Sequence, residues 1–149
     1  MTEFPQDFYT MIESGIDFVK RAGLKVLELE KGHVVLKLPI EINRSHVGSM
    51  YAGALFTLAE IPGGALYLTS FDASKYYPIV KEMTIQFKQP AATDTTITVH
   101  ISEEEVRQIS QEADEKGKAD YILEALIKDE QGNVVCKSIG TYQLRKWGT

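Results

Sequence analysis

Apolar positions in this chain fall into periodic blocks separated by polar or glycine-rich breaks. Residues 7–21 carry Phe8, Met11, Ile12, Ile16 and Val19 at three- and four-residue steps, the spacing of one helix face, and Gly23 reads as the stop. In 24–39, Leu24 and Val26 alternate, then Leu27 and Leu29 alternate in the opposite phase. That slip predicts a bulge or a strand apolar on both faces. Lys31-Gly32 turns the chain and Val34 to Pro39 returns, so the segment reads as a hairpin. Residues 41–51 are polar and read as a loop.

Ala52 to Thr69 is the longest apolar-periodic element and predicts a helix of roughly 27 Å. At about 100° per residue, Leu55, Leu58, Ala59, Pro62 and Leu66 form one stripe, which reads as a core face. Gly53, Phe56, Thr57, Glu60, Gly64 and Tyr67 form the other. Two aromatics, two glycines and one acid are odd for a solvated surface, and packing on another chain or a ligand explains them better. Pro62 lacks the N–H for the Leu58 carbonyl and predicts a kink just past Glu60.

Residues 77–89 read as a long strand with Ile79, Met83, Ile85 and Phe87 inward, and Pro90 to Asp94 as a turn. Thr95 to Ile101 alternates as a further strand, and Glu103 to Glu115 as a charged helix ended by Gly117. Tyr121 to Asp129 and Val134 to Leu144 flank a turn at 130–133 and form a last hairpin. Runs of strands around one central helix predict an α+β fold with an antiparallel sheet. One helix cannot cover both faces of such a sheet, so one side is expected to be solvated or paired with a partner.

The length of 149 residues fits one domain, 1–149, able to bury roughly 70% of its extended-chain surface. A net charge of -5 argues against a nucleic-acid partner, which needs a basic surface. No segment has the unbroken apolar length to span a membrane. Cys136 is the one cysteine, and Met1 to Asp7 shows no leader pattern, so the cytoplasm is the expected location. His33, His46 and His100 are too scattered for a structural zinc site.

Candidate chemistry centres on Glu60, a carboxylate on an apolar helix, costly unless it is used or satisfied. From Asn43 into this helix, the pattern resembles one acyl-CoA thioesterase branch. That branch carries Asn, then His-Gly-Gly, then an apolar run into Leu-Ala-Asp/Glu. Here Asn43 is followed by Met50-Tyr51-Ala52-Gly53-Ala54-Leu55-Phe56-Thr57-Leu58-Ala59-Glu60. Ile85-Gln86-Phe87-Lys88-Gln89-Pro90-Ala91 is similar to the branch's Phe-x-x-Pro-Ala strand end, and Ser138-Ile139-Gly140-Thr141-Tyr142 to its last strand. On these landmarks the chain resembles the hotdog-fold acyl-CoA thioesterase superfamily. It looks closest to the phenylacetate-pathway branch and an uncharacterised bacterial subgroup.

The resemblance implies a sheet wrapped around one long helix, homodimers or dimers of dimers, and acyl-CoA sites between subunits. No cofactor and no metal is expected. Glu60 matches the catalytic acid, as general base or nucleophile, and Asn43 the residue that orients water or the carbonyl. Ala52 and Gly53 open the helix, and their amides, without intrahelical partners and at the positive end of its dipole, are the expected oxyanion donors. Tyr51, His46, Phe56, Thr57 and Tyr67 are the expected substrate contacts. Tyr51 stands where the branch has His, Ala52 where it has the first Gly, and Tyr67 near its Ser or Thr. Arg44, Lys81, Lys88 and Arg107 are candidates for coenzyme A phosphates, although scattered charges are usually a solvated face.

Two other readings stand beside this one. The altered His-Gly pair suits a module that binds acyl-CoA without turnover, with Glu60 ordering a dimer. The spacing of His46 and Glu60 is similar to that of hotdog dehydratases of hydroxyacyl thioesters, but their Pro-Gly helix opening is absent.

Overall fold

Gly15 and Ile16 divide the first predicted helix into α1 (Gln6–Ser14) and α2 (Asp17–Ala22) in the computed structural model, which describes residues 4–149. The leader reading of Met1 to Asp7 rests partly on residues outside these. Ile16 is extended (φ -116°, ψ 120°), so the chain turns a corner where a single helix was expected. Glycine and a β-branched residue in succession are poor helix formers, and their propensity overrides the apolar period here. Gly23 ends α2 in the left-handed conformation (φ 75°), as its position implied.

The next segment is the expected hairpin of β1 (Lys25–Glu30) and β2 (His33–Leu38). Its pairing slips between Val26 and Glu28, so the change of phase is a bulge that turns Leu27 outward. Helix α3 (Ala52–Ser70) follows, then β3 (Tyr76–Phe87), β4 (Thr95–His100), α4 (Glu103–Lys116), β5 (Lys118–Lys128) and β6 (Val134–Lys146). Ser102 and Glu105 close a capping box at the start of α4, and Gly117 ends it. The strands form one antiparallel six-stranded sheet in the order β1-β2-β4-β5-β6-β3.

The core lies between this sheet and α3. Leu36, Leu38, Ile97, Ile127 and Leu144 from the strands meet Leu58 and Leu66 of the helix, all essentially without solvent contact. Strand β5 alternates strictly, with Tyr121, Leu123, Ala125 and Ile127 inward and Ile122, Glu124 and Leu126 on the open face. No helix among the described residues is long and apolar enough to cross a membrane.

Strand β3 departs from its expected orientation. It pairs only with β6 and forms one edge of the sheet. Ile79 and Phe87 are exposed, while Met83 and Ile85 are half-buried. An alternating pattern on an edge strand reads as core, although only one flank of such a strand is covered.

Helix α3 runs unbroken through Pro62. The Tyr142 hydroxyl donates to the Glu60 carbonyl at 3.2 Å. The Tyr142 ring also fills the space beside Gly63, where any Cβ would collide with it. Tyr142 is 4% exposed and has nowhere to move. Gly63→Ala is therefore expected to overpack this contact despite the better helix propensity of alanine. The expected loss is about 2 kcal/mol, read as a Tm lower by roughly 5 °C in thermal unfolding.

Candidate functional site

The loop before α3 is tied down mainly by backbone. The Asn43 amide nitrogen donates to the carbonyls of Ala22 and Pro39, both at 2.8 Å. Its backbone carbonyl accepts from the Tyr51 amide at 2.8 Å. Asn43 thus clamps the end of α2, the exit of β2 and the return of the loop. Both side-chain hydrogens are committed, so only Oδ1 remains, and it can accept from a water but not donate to a carbonyl.

Farther along, the Ser45 amide donates to the Ser49 carbonyl at 2.7 Å, and Gly48 sits at φ 93°. The Arg44 guanidinium donates to the Gly48 carbonyl at 2.9 Å, so this candidate phosphate contact braces its own loop. His46 lies exposed near the tip and has no hydrogen bond among the described residues. Met50 anchors the return through its amide to the Ala91 carbonyl, 2.9 Å away.

Helix α3 opens without a side-chain cap and with no acid in its first turn. The Tyr51 carbonyl accepts from the amides of Ala54 and Leu55, at 3.0 and 3.1 Å. The amides of Ala52 and Gly53 donate to nothing among the described residues. Two free donors at the positive end of a helix dipole can hold a developing negative charge. The Tyr51 ring lies over Gly53 and occupies the room a Cβ would need. A ligand reaches the Gly53 amide beside this ring or after it swings, and Tyr51, at 58% exposure, is free to swing.

Glu60 lies two turns farther along, half-buried, with no hydrogen bond or ion pair to its carboxylate among the described residues. Burial alone pushes its pKa above the ordinary carboxylate value. A carboxylate held this way is a better base than a solvated one. Seven or eight residues separate Glu60 from the two free amides, about 10–12 Å along the helix axis. The carbonyl oxygen must lie within about 3 Å of the oxyanion donors, and the base must reach the attacked carbon directly or through one water. Within one chain the expected catalytic set is therefore aligned on one helix, its two parts about two turns apart.

The remaining expected contacts divide. Phe56 is 41% exposed, one turn before Glu60. Thr57 is buried and its hydroxyl donates to the Gly53 carbonyl at 2.8 Å. Tyr67 is buried, not on an open face, and its hydroxyl donates to the Tyr76 carbonyl at 2.8 Å. Lys81 pairs with Asp120 at 2.7 Å, while Lys88 and Arg107 are exposed. Burial pushes the Cys136 thiol up to about 11, so it stays protonated and is a poor nucleophile.

Two features at this site are tertiary. Tyr142 belongs to a landmark quoted from the sequence, but its seat beneath Glu60 depends on how β6 meets α3. The break at Gly15 leaves an apolar trough of about 270 Å³ between the α1–α2 corner and α3, beginning at Ile61. The exposed Met11 and Ile16 that line it were read as part of one face of a single helix.

Residues 6–143 match the family described as domain of unknown function (DUF4442). No functionally curated protein matches the sequence. A Pseudomonas aeruginosa protein described as of unknown function and a probable thioesterase shares 51% identity, over 97% of this chain and 98% of its own, with a TM-score of 0.93. A Staphylococcus aureus thioesterase shares 19% identity over 87% of this chain and 99% of its own, at a TM-score of 0.71. A Haemophilus influenzae thioesterase shares 12% over 100% and 95%, at 0.74. The latter two show the common fold. The chain thus belongs to the family described as DUF4442, within the hotdog-fold thioesterase superfamily.

Proposed function

We propose that this protein hydrolyses acyl-CoA thioesters at a site completed by two copies of the chain. The observation that carries the reading is the pairing of two unused chemistries on α3. Its start holds the amides of Ala52 and Gly53 and its middle holds Glu60, each without a partner among the described residues. A two-fold axis beside the helix brings the start of one α3 toward the middle of the other. Strand β3 suits such pairing, since it is a twelve-residue edge with exposed Ile79, Val80 and Phe87.

In this reading the thioester carbonyl lies on the amides of one copy, opposite Glu60 of the other. Glu60 takes a proton from water as its oxygen attacks the carbonyl carbon, and the amides hold the oxyanion. The C–S bond then breaks, the sulfur takes the proton, and a carboxylic acid and a thiol leave. Direct attack by Glu60 gives the same products through an anhydride that water opens. In this reading Asn43 Oδ1, its one free side-chain acceptor, takes a hydrogen bond from the attacking water. A reducing cytoplasmic setting suits the lone buried Cys136.

The Tyr51 ring over Gly53 favours a second reading, an acyl-CoA-binding module without turnover. Thiol release from short-, medium- and long-chain and aryl acyl-CoAs separates the two, with light scattering for oligomeric state. The proposal expects hydrolysis of at least one class by a dimer or larger assembly. Binding measured by calorimetry without any thiol release overturns it in favour of the module.

A further inference from the structure

We infer that the trough between the α1–α2 corner and α3 takes the acyl chain of the substrate, and that Gly64 keeps it open. This rests on the reading of Glu60 as the acid at the thioester. The trough starts at Ile61, the residue after Glu60, and runs along α3 to Leu68, with Met11 and Ile16 as its far wall. Its lining carries no charge. Tyr67 is its one residue with a polar side-chain atom, and that hydroxyl is already committed to the Tyr76 carbonyl. A polar ligand would find no partner there, and an alkyl chain needs none.

Size narrows the occupant. The trough, of about 270 Å³, lies near the small end of ligand pockets at about 300–1,000 Å³. A stable protein interface needs about 800 Å² from each partner, more than such a trough offers. From Glu60 to Leu68 the helix advances about 12 Å. With carbon–carbon bonds of about 1.5 Å, an extended chain of roughly eight to ten carbons covers that length. Gly64 lies midway, exposed, and a Cβ on it would meet nothing within 4 Å.

Gly64→Leu fills this space. It replaces a helical glycine at an open position, so the fold is retained. Each methylene excluded from an apolar site is worth about 0.8 kcal/mol, and two already exceed a factor of ten. The expected result is a loss of at least tenfold in kcat/KM for octanoyl- and decanoyl-CoA, with acetyl- and propionyl-CoA within about twofold of the wild type. Glu60→Gln is assayed beside it. An unchanged chain-length profile in Gly64→Leu, or an equal loss on all chains, overturns the trough while an inactive Glu60→Gln keeps the acid's role. An active Glu60→Gln overturns the reading on which the inference rests. A Gly64→Leu protein that falls apart into monomers by light scattering assigns the trough to a second copy and also overturns the inference.

Discussion

Glu60→Gln is expected to lower kcat for thioester hydrolysis by about 10²–10⁴-fold while leaving the assembly and acyl-CoA binding intact. The amide has nearly the shape of the acid but neither takes a proton nor attacks a carbonyl. No other carboxylate lies on α3 to replace it. The same burial that suits Glu60 to base chemistry gives the variant two further signatures. In the wild type, kcat/KM is expected to rise with pH through the pKa of Glu60, which desolvation holds above its ordinary 4.5. Activity therefore starts to fail at a higher pH than an exposed carboxylate would allow.

Stability runs in the opposite sense. The folded pKa is raised, so the protonated acid is favoured by folding, and that contribution is full below the unfolded value of 4.5. It is lost as pH rises through the folded pKa, beyond which the folded state carries a half-buried charge. Near neutral pH, Glu60→Gln is thus expected to melt at or above the wild-type Tm, and the gain is expected to vanish below pH 4.5. A loss of activity together with a lower Tm at neutral pH would mark a structural defect and contradict the assigned role.

Ala52→Pro is expected to cut kcat by about 10²–10³-fold with little change in Tm. Proline at the first position of a helix removes an N–H that has no intrahelical partner in any case. Tyr51 before it is already extended (φ -60°, ψ 135°), a conformation that proline requires of its predecessor. The substitution therefore deletes one oxyanion donor and little else. Steady-state rates beside thermal melts read the split. Unchanged kcat would assign the stabilisation to Gly53 alone or to neither amide.

The legible part of this fold followed from periodicity and turn chemistry. The phase change after Val26 is a bulge, and Gly23 and Gly117 end helices. The errors share a physical cause. Gly15-Ile16 broke a helix whose apolar period ran on, and β3 carried apolar residues outward because it is an edge. A sequence period records that one face is covered but not by what. Of the proposed site, two features were legible: the amides of Ala52 and Gly53, which a helix start leaves without intrahelical partners, and Glu60, the one acid on an apolar helix. The site was illegible where side chains choose partners across the fold. Asn43 spends its hydrogens on Ala22 and Pro39, Thr57 bonds Gly53, Tyr67 turns to Tyr76, and Tyr142 reaches Glu60.

The central claim is that one active site draws on two copies of the chain, and subunit mixing tests it most directly. Glu60→Gln keeps its helix-start amides, and Ala52→Pro keeps its acid. In a mixed dimer, one of the two sites combines the intact amides of the first with the intact acid of the second. Equal amounts, unfolded and refolded together, are expected to regain about a quarter of wild-type activity, since half the dimers are mixed and each has one complete site. Activity no higher than the mean of the two inactive proteins, in a sample shown to contain mixed dimers, would place the chemistry within a single chain and contradict the account.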